Sequence, residues 1–77
     1  MLIEIFGTGC AKCQTLEKHA RHAADQAGGG HQVVKVSDYP AIVARGVLST
    51  PALAVDGKVR SQGRVPSVDE ILGFIRG

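Results

Sequence analysis

Tryptophan is missing from this chain of 77 residues, and Phe6, Tyr39 and Phe74 are its only aromatic side chains. The core therefore has to be assembled from Ile, Val, Leu and Ala, and there is no run of stacking aromatics for single-stranded nucleic acid to lie on. Charge is scarce as well. Nine Lys and Arg against seven Asp and Glu leave a net charge of +2, too little for the basic footprint of a nucleic-acid binder. No apolar run approaches the ~20 residues of a membrane span. The first apolar stretch carries Glu4 and lacks the basic flank of a secretory leader. Cysteine occurs only as Cys10 and Cys13, and such a lone pair in a reducing compartment is more often catalytic or metal-binding than a staple. The expectation is one small domain over residues 1–77, near the lower limit for a self-sufficient core, in a cytoplasmic protein with neither a nucleic-acid nor a membrane partner.

What is present divides into segments of distinct period. Leu2-Ile3-Glu4-Ile5-Phe6 is almost continuously apolar, as suits a central strand covered on both faces. Gly7-Thr8-Gly9 breaks it. From Ala11 to Ala27 the pattern is helical, with Leu16, Ala20, Ala23, Ala24 and Ala27 on one face and Glu17, Lys18, Arg21 and Asp25 on the other. Gly28-Gly29-Gly30 follows the helix, so Gly28 reads as a left-handed cap and the triplet as no phosphate loop. Gln32 to Val36 is a second strand, parallel to the first across a right-handed crossover. Ser37-Asp38-Tyr39-Pro40 starts a short helix that Gly46 stops. Ala52 to Val55 and Lys58 to Ser61 pair across Asp56-Gly57, a strong two-residue hairpin signal, and Lys58 and Arg60 suit an exposed edge. Ser67 and Glu70 form a capping box before a last helix striped by Ile71, Leu72, Phe74 and Ile75.

The order of elements is βαβαββα. Along it stand, in sequence, the motifs Gly9-Cys10-Ala11-Lys12-Cys13, Ser49-Thr50-Pro51-Ala52-Leu53, Val55-Asp56-Gly57-Lys58-Val59 and Gly63. Together they resemble the small thioredoxin-like, or glutaredoxin-like, redox-active disulfide proteins, over essentially the whole chain. The resemblance implies an α/β minimal thioredoxin fold: a mixed four-stranded sheet of order 2-1-3-4, strand 3 antiparallel to strand 1, flanked by three helices. The chain departs from thioredoxin in having Ala-Lys between the cysteines instead of Gly-Pro, and Gly9 instead of Trp before Cys10.

The chemistry expected of these residues is thiol-disulfide exchange. A Cys-x-x-Cys motif between a strand and a helix reads as a redox site. Cys10, at the helix N-terminus, gains from free N–H groups and the positive end of the helix dipole, and Lys12 adds a charge, so its pKa should lie below the free-thiol ~8.5. Cys13, one turn further in, becomes the resolving thiol. By resemblance Pro51 is cis and faces the disulfide, Thr50 offers its backbone to an extended substrate, and Gly63 lines the substrate groove with bare backbone. Glu4 has two readings. It is either a buried carboxylate that accepts the Cys13 proton, as a strand carboxylate does in thioredoxin, or a solvated residue beside a strand end. His19 and His22 tempt a zinc proposal, but Cys13 and His19 lie about 240° apart around one helix and cannot converge on an ion. No metal or cofactor is expected. The partners are protein disulfides and a reductase or thiol donor the sequence does not identify, and the chain is expected to be a monomer. Two other classes stand beside the oxidoreductase: a soft-metal or metalloid carrier using the same thiols, and an interaction module with incidental cysteines.

Overall fold

A computed structural model describes residues 1–76; Gly77, the last residue of the expected domain, lies outside the described residues. Seven elements follow one another: β1 (Leu2–Phe6), α1 (Ala11–Gln26), β2 (Gln32–Val36), α2 (Tyr39–Ala44), β3 (Ala52–Val55), β4 (Lys58–Gln62) and α3 (Val68–Arg76). The four strands form one sheet in the order β2-β1-β3-β4. β1 runs parallel to β2 and antiparallel to β3, and β3 runs antiparallel to β4. This is the minimal thioredoxin fold that the motifs imply.

Local chemistry sets the ends of these elements. Beyond α1 the N–H groups of Gly28 and Gly29 bond back to Asp25 and Ala24, with Gly28 at φ 101°. Gly closes the helix at little steric cost there because it alone enters this region freely. Asp56 (φ 51°) and Gly57 (φ 84°) are both left-handed, as a type I′ hairpin turn requires. Ser67 Oγ accepts from the Glu70 N–H at 3.1 Å while Glu70 Oε1 accepts from the Ser67 N–H at 3.2 Å, closing the capping box. Strand β4 runs one residue further than its pattern suggests, to Gln62, and pairing shifts register between Leu53 and Ala54. Arg60, which has no partner in that register, is the extra residue of a bulge that bends the edge strand.

Side chains alternate across β1, and both faces are covered. Ile3 and Ile5 pack with Leu16, Ala20, Ala23, Leu53, Ile71 and Ile75 into the larger core, between the sheet and helices α1 and α3. Phe6 packs on the opposite face with Ile42, Val47, Ala52 and Ala54, under α2. The register that sets Phe6 opposite Ala52 brings the segment before β3 alongside the segment after β1. Thr50-Pro51 and the Gly7–Cys10 loop therefore share one end of the sheet. No described helix is long and apolar enough to cross a membrane.

Candidate active site

Cys10 is the N-cap of α1, extended at φ −68° and ψ 167°. Its carbonyl accepts the first helical hydrogen bond, from the Gln14 N–H at 3.0 Å, and its Sγ accepts the Cys13 N–H at 3.3 Å. A cap position normally held by Ser, Thr, Asp or Asn is thus filled by sulfur. The Cys13 side chain, one turn on, belongs to the buried stripe of α1 with Leu16, Ala20, Ala23 and Ala24. Both cysteines are free thiols, Cys10 exposed and Cys13 buried, with their sulfurs 2.6 Å apart. A disulfide of about 2.05 Å needs only a sub-ångström approach from there.

The two environments push the thiols in opposite directions. Cys10 is lowered below its ordinary value, first by the hydrogen bond from the Cys13 thiol and then by the Cys13 backbone N–H. Lys12 contributes through its backbone N–H, so the Cys13 thiol and the N–H groups of the helix terminus, not the Lys12 ammonium, lower Cys10. Cys13 is raised, first by burial and then by its hydrogen bond to Cys10. An accessible thiol stabilised as thiolate beside a buried one held as thiol is the division of labour that exchange needs.

Three glycines and a proline shape the surroundings. Gly7 follows β1 directly beneath Cys13, where an added Cβ would overlap the Cys13 sulfur; no other residue leaves room for that thiol. In the sequence pattern Gly7 marks only the end of a strand, because the long-range contact that fixes it has no local signal. Gly9 takes φ 86° just before the cap. The Thr50–Pro51 peptide is cis, Pro51 is buried and Thr50 is exposed. The Gly63 N–H donates to the Pro51 carbonyl at 3.0 Å, and the Leu48 N–H donates to Gln62 Oε1 at 2.9 Å. Gly63, expected to line the substrate groove with bare backbone, uses its N–H to hold the proline loop. At φ 74°, with Ser49 Cβ 3.3 Å from where a Cβ would stand, it has little room for a side chain.

The structure does not bring Glu4 to Cys13. Glu4 is buried, but it shares the Phe6 face of β1, against α2, whereas Cys13 packs on the Ile5 face. Its carboxylate is gripped by the Arg45 guanidinium through two bonds of 2.7 and 2.8 Å. Arg45, the C-cap of α2, also lies over the Phe6 ring at 5.4 Å. A carboxylate in an apolar layer needs such a partner, and the alternation of a strand puts it one sheet-thickness from the thiols.

What does adjoin Cys13 is a cleft of about 90 Å³, lined by Ile5, Gly7, Gly9, Cys13, Gln14, Glu17 and Lys35. Glu17 stands at its rim with Oε1 3.5 Å from Lys35 Nζ and Oε2 2.8 Å from Arg21 Nη2. Of the two histidines on α1, His19 places Nδ1 2.9 Å from the Pro66 carbonyl, and His22 places Nε2 2.9 Å from Gln26 Nε2.

Residues 1–76 match the thioredoxin domain family. The chain is similar to a protein named thioredoxin from Methanothermobacter thermautotrophicus, 45% identical over 71 residues that make up 92% of each chain. It is also similar to one of the same name from Methanocaldococcus jannaschii, 39% identical over 71 residues, 92% of this chain and 81% of that one.

Proposed function

The chain belongs to the thioredoxin family and is a thiol-disulfide oxidoreductase; from that premise we propose that it reduces protein disulfides with Cys10 as nucleophile and Cys13 as resolving thiol. The observation that carries the assignment is the asymmetry between an exposed, helix-capping Cys10 with lowered pKa and a buried Cys13 with raised pKa. The Cys10 thiolate attacks one sulfur of a substrate disulfide, forming a mixed disulfide and releasing the other sulfur as a thiolate that takes a proton. Cys13 then loses its proton and attacks the Cys10 sulfur. The Cys10–Cys13 bond forms, the bond to substrate breaks, and the second substrate sulfur leaves. The substrate gains two electrons and two protons; the protein dithiol gives them up. A reductase or a small dithiol restores the pair.

Thr50 supports this reading from the far side of the site. Thr50 is an exposed residue next to Pro51, and its N–H and C=O would meet an extended substrate segment in the manner of strand addition. Residues 1–77 act as a single monomeric domain in the cytoplasm on this account. Replacing Cys13 by Ser tests the assignment: the variant accumulates a mixed disulfide at Cys10 with a protein disulfide substrate, and Cys10→Ser forms none. A redox titration of the wild type gives one two-electron transition between roughly −180 and −290 mV. Thiols that refuse to close a disulfide and retain Cu(I) through dialysis would transfer the assignment to a soft-metal carrier.

A further inference from the structure

The resolving step leaves a proton to be placed. Cys13 is 6% exposed, and burial holds its thiol protonated, yet only its thiolate can attack the mixed disulfide. The strand carboxylate that could have taken the proton, Glu4, is committed to Arg45 on the other face of the sheet. We propose that Glu17 accepts the Cys13 proton through water in the cleft that joins them, an assignment resting on the exchange reaction proposed above.

Geometry carries the case. Glu17 follows Cys13 by four residues on α1, so the two side chains sit on the same side of the helix one turn apart. Both line the cleft, with Ile5 and Gly7 as an uncharged floor. Its volume of about 90 Å³ exceeds the ~30 Å³ share of a water molecule, so a short hydrogen-bonded water chain fits. The charged or titratable groups around the thiol are Cys10 at the cap, Glu17 and Arg21 on α1, and Lys35 on β2, which the sheet register sets opposite Ile5. Arg21 occupies Glu17 Oε2 at 2.8 to 3.0 Å, and Lys35 holds Oε1 more loosely at 3.5 Å. Oε1, the more loosely held oxygen, is therefore the one that accepts from the cleft.

The same two cations, Arg21 foremost, keep Glu17 below the usual carboxylate range. It stays ionised wherever the thiols exchange. A carboxylate of that kind does not retain the proton: with its side chain 20% exposed, it passes it on to solvent and is ready for the next turnover. Lys35 acts as a positioning residue, anchoring the acceptor at the cleft instead of letting it swing to solvent with Arg21.

The experiment mixes the reduced protein with a symmetrical nitroaryl disulfide whose released thiolate is coloured. The first equivalent released reports attack by Cys10, and the second reports resolution by Cys13. Glu17→Gln leaves the first phase and its pH dependence unchanged and slows the second by about tenfold near neutral pH, below the ~10²-fold of a base tuned to neutrality because the lowered Glu17 is a weak base. The deficit shrinks as pH rises and the thiol ionises without help. Glu17→Asp, which keeps the charge on a shorter stem, recovers part of the rate; a purely structural role for Glu17 would not bend the pH profile in this way. A second phase in Glu17→Gln within about twofold of wild type from pH 6 to pH 9, roughly, overturns the assignment of the proton acceptor. Absence of the first phase in the wild type overturns the exchange reaction itself, so the two failures are told apart in one trace.

Discussion

The two faces of β1 hold the same kind of layer, apolar side chains under helix, yet each buries a reactive or charged group that apolar packing does not explain. On the α1 side it is the Cys13 thiol; on the α2 side it is the Glu4 carboxylate. The thiol is neutral, needs no strong partner, and sits over a glycine beside a cleft. The carboxylate is charged and is held by two hydrogen bonds from Arg45, with Phe6 stacked below the guanidinium. This contrast separates reactive from structural polar groups. A group left with room and an open path to solvent can change protonation state during a reaction. A group locked bidentately into its neighbour is committed to keeping one.

The contrast breaks most visibly at Arg45. Arg45→Met strands the Glu4 carboxylate, its side chain only 10% exposed, in the apolar layer. Removing one partner of a fully buried pair costs about 3–5 kcal/mol. The Arg45 side chain itself is 35% exposed, so solvent screening keeps the loss well below that of a fully buried pair, and it is read as a fall in Tm by thermal denaturation. The rates of both exchange phases in the folded variant stay at wild-type values. Slowed resolution in this variant would mean that Glu4 does reach the thiols.

Gly7→Ala makes the reverse cut. The new methyl drives the Cys13 sulfur out of its seat, at an overpacking cost of about 1–3 kcal/mol. The change slows the second exchange phase while leaving the Glu4–Arg45 pair whole. A Gly7→Ala variant that resolves at the wild-type rate would show that Cys13 has no fixed seat. The mildest change touches neither face. Ser67→Ala removes the N-cap of α3 and costs about 1 kcal/mol with no change in either phase. The acidic partner of that box, Glu70, is lowered by Arg64 and by the Ser67 N–H. Its contribution is present above the unfolded carboxylate pKa and fades as pH falls through the lower folded value, so the box weakens only in acid.

Much of this is readable from the residues, and the part that is not has a physical cause. The caps at Gly28 and Ser67 and the turn at Asp56-Gly57 are written within a few positions of sequence, where one backbone conformation or one pair of side chains decides the outcome. Cys10 and Cys13 follow from the same kind of local rule, since a helix start determines which thiol is outside. Glu4 shows where local rules end. Alternation tells that it opposes Ile3 and Ile5, but in a strand covered on both sides it does not tell which side receives the cysteine-bearing helix. Glu17, placed by periodicity on the solvated face of α1, gains its meaning only from Lys35 across the cleft. Gly7 and the bulge at Arg60 likewise depend on what another segment brings to them.

Exchange rests on two thiols three residues apart held in opposite states, Cys10 by the Cys13 thiol and the helix terminus, Cys13 by a buried seat. The decisive measurement is rate-resolved alkylation of the reduced protein across pH, with each cysteine followed by mass spectrometry. Cys10 should be modified first, along a curve centred below the ~8.5 of a free cysteine, and Cys13 should lag with a curve centred above it. Two curves that coincide, or a Cys13 modified ahead of Cys10, would refute the opposed states of the pair.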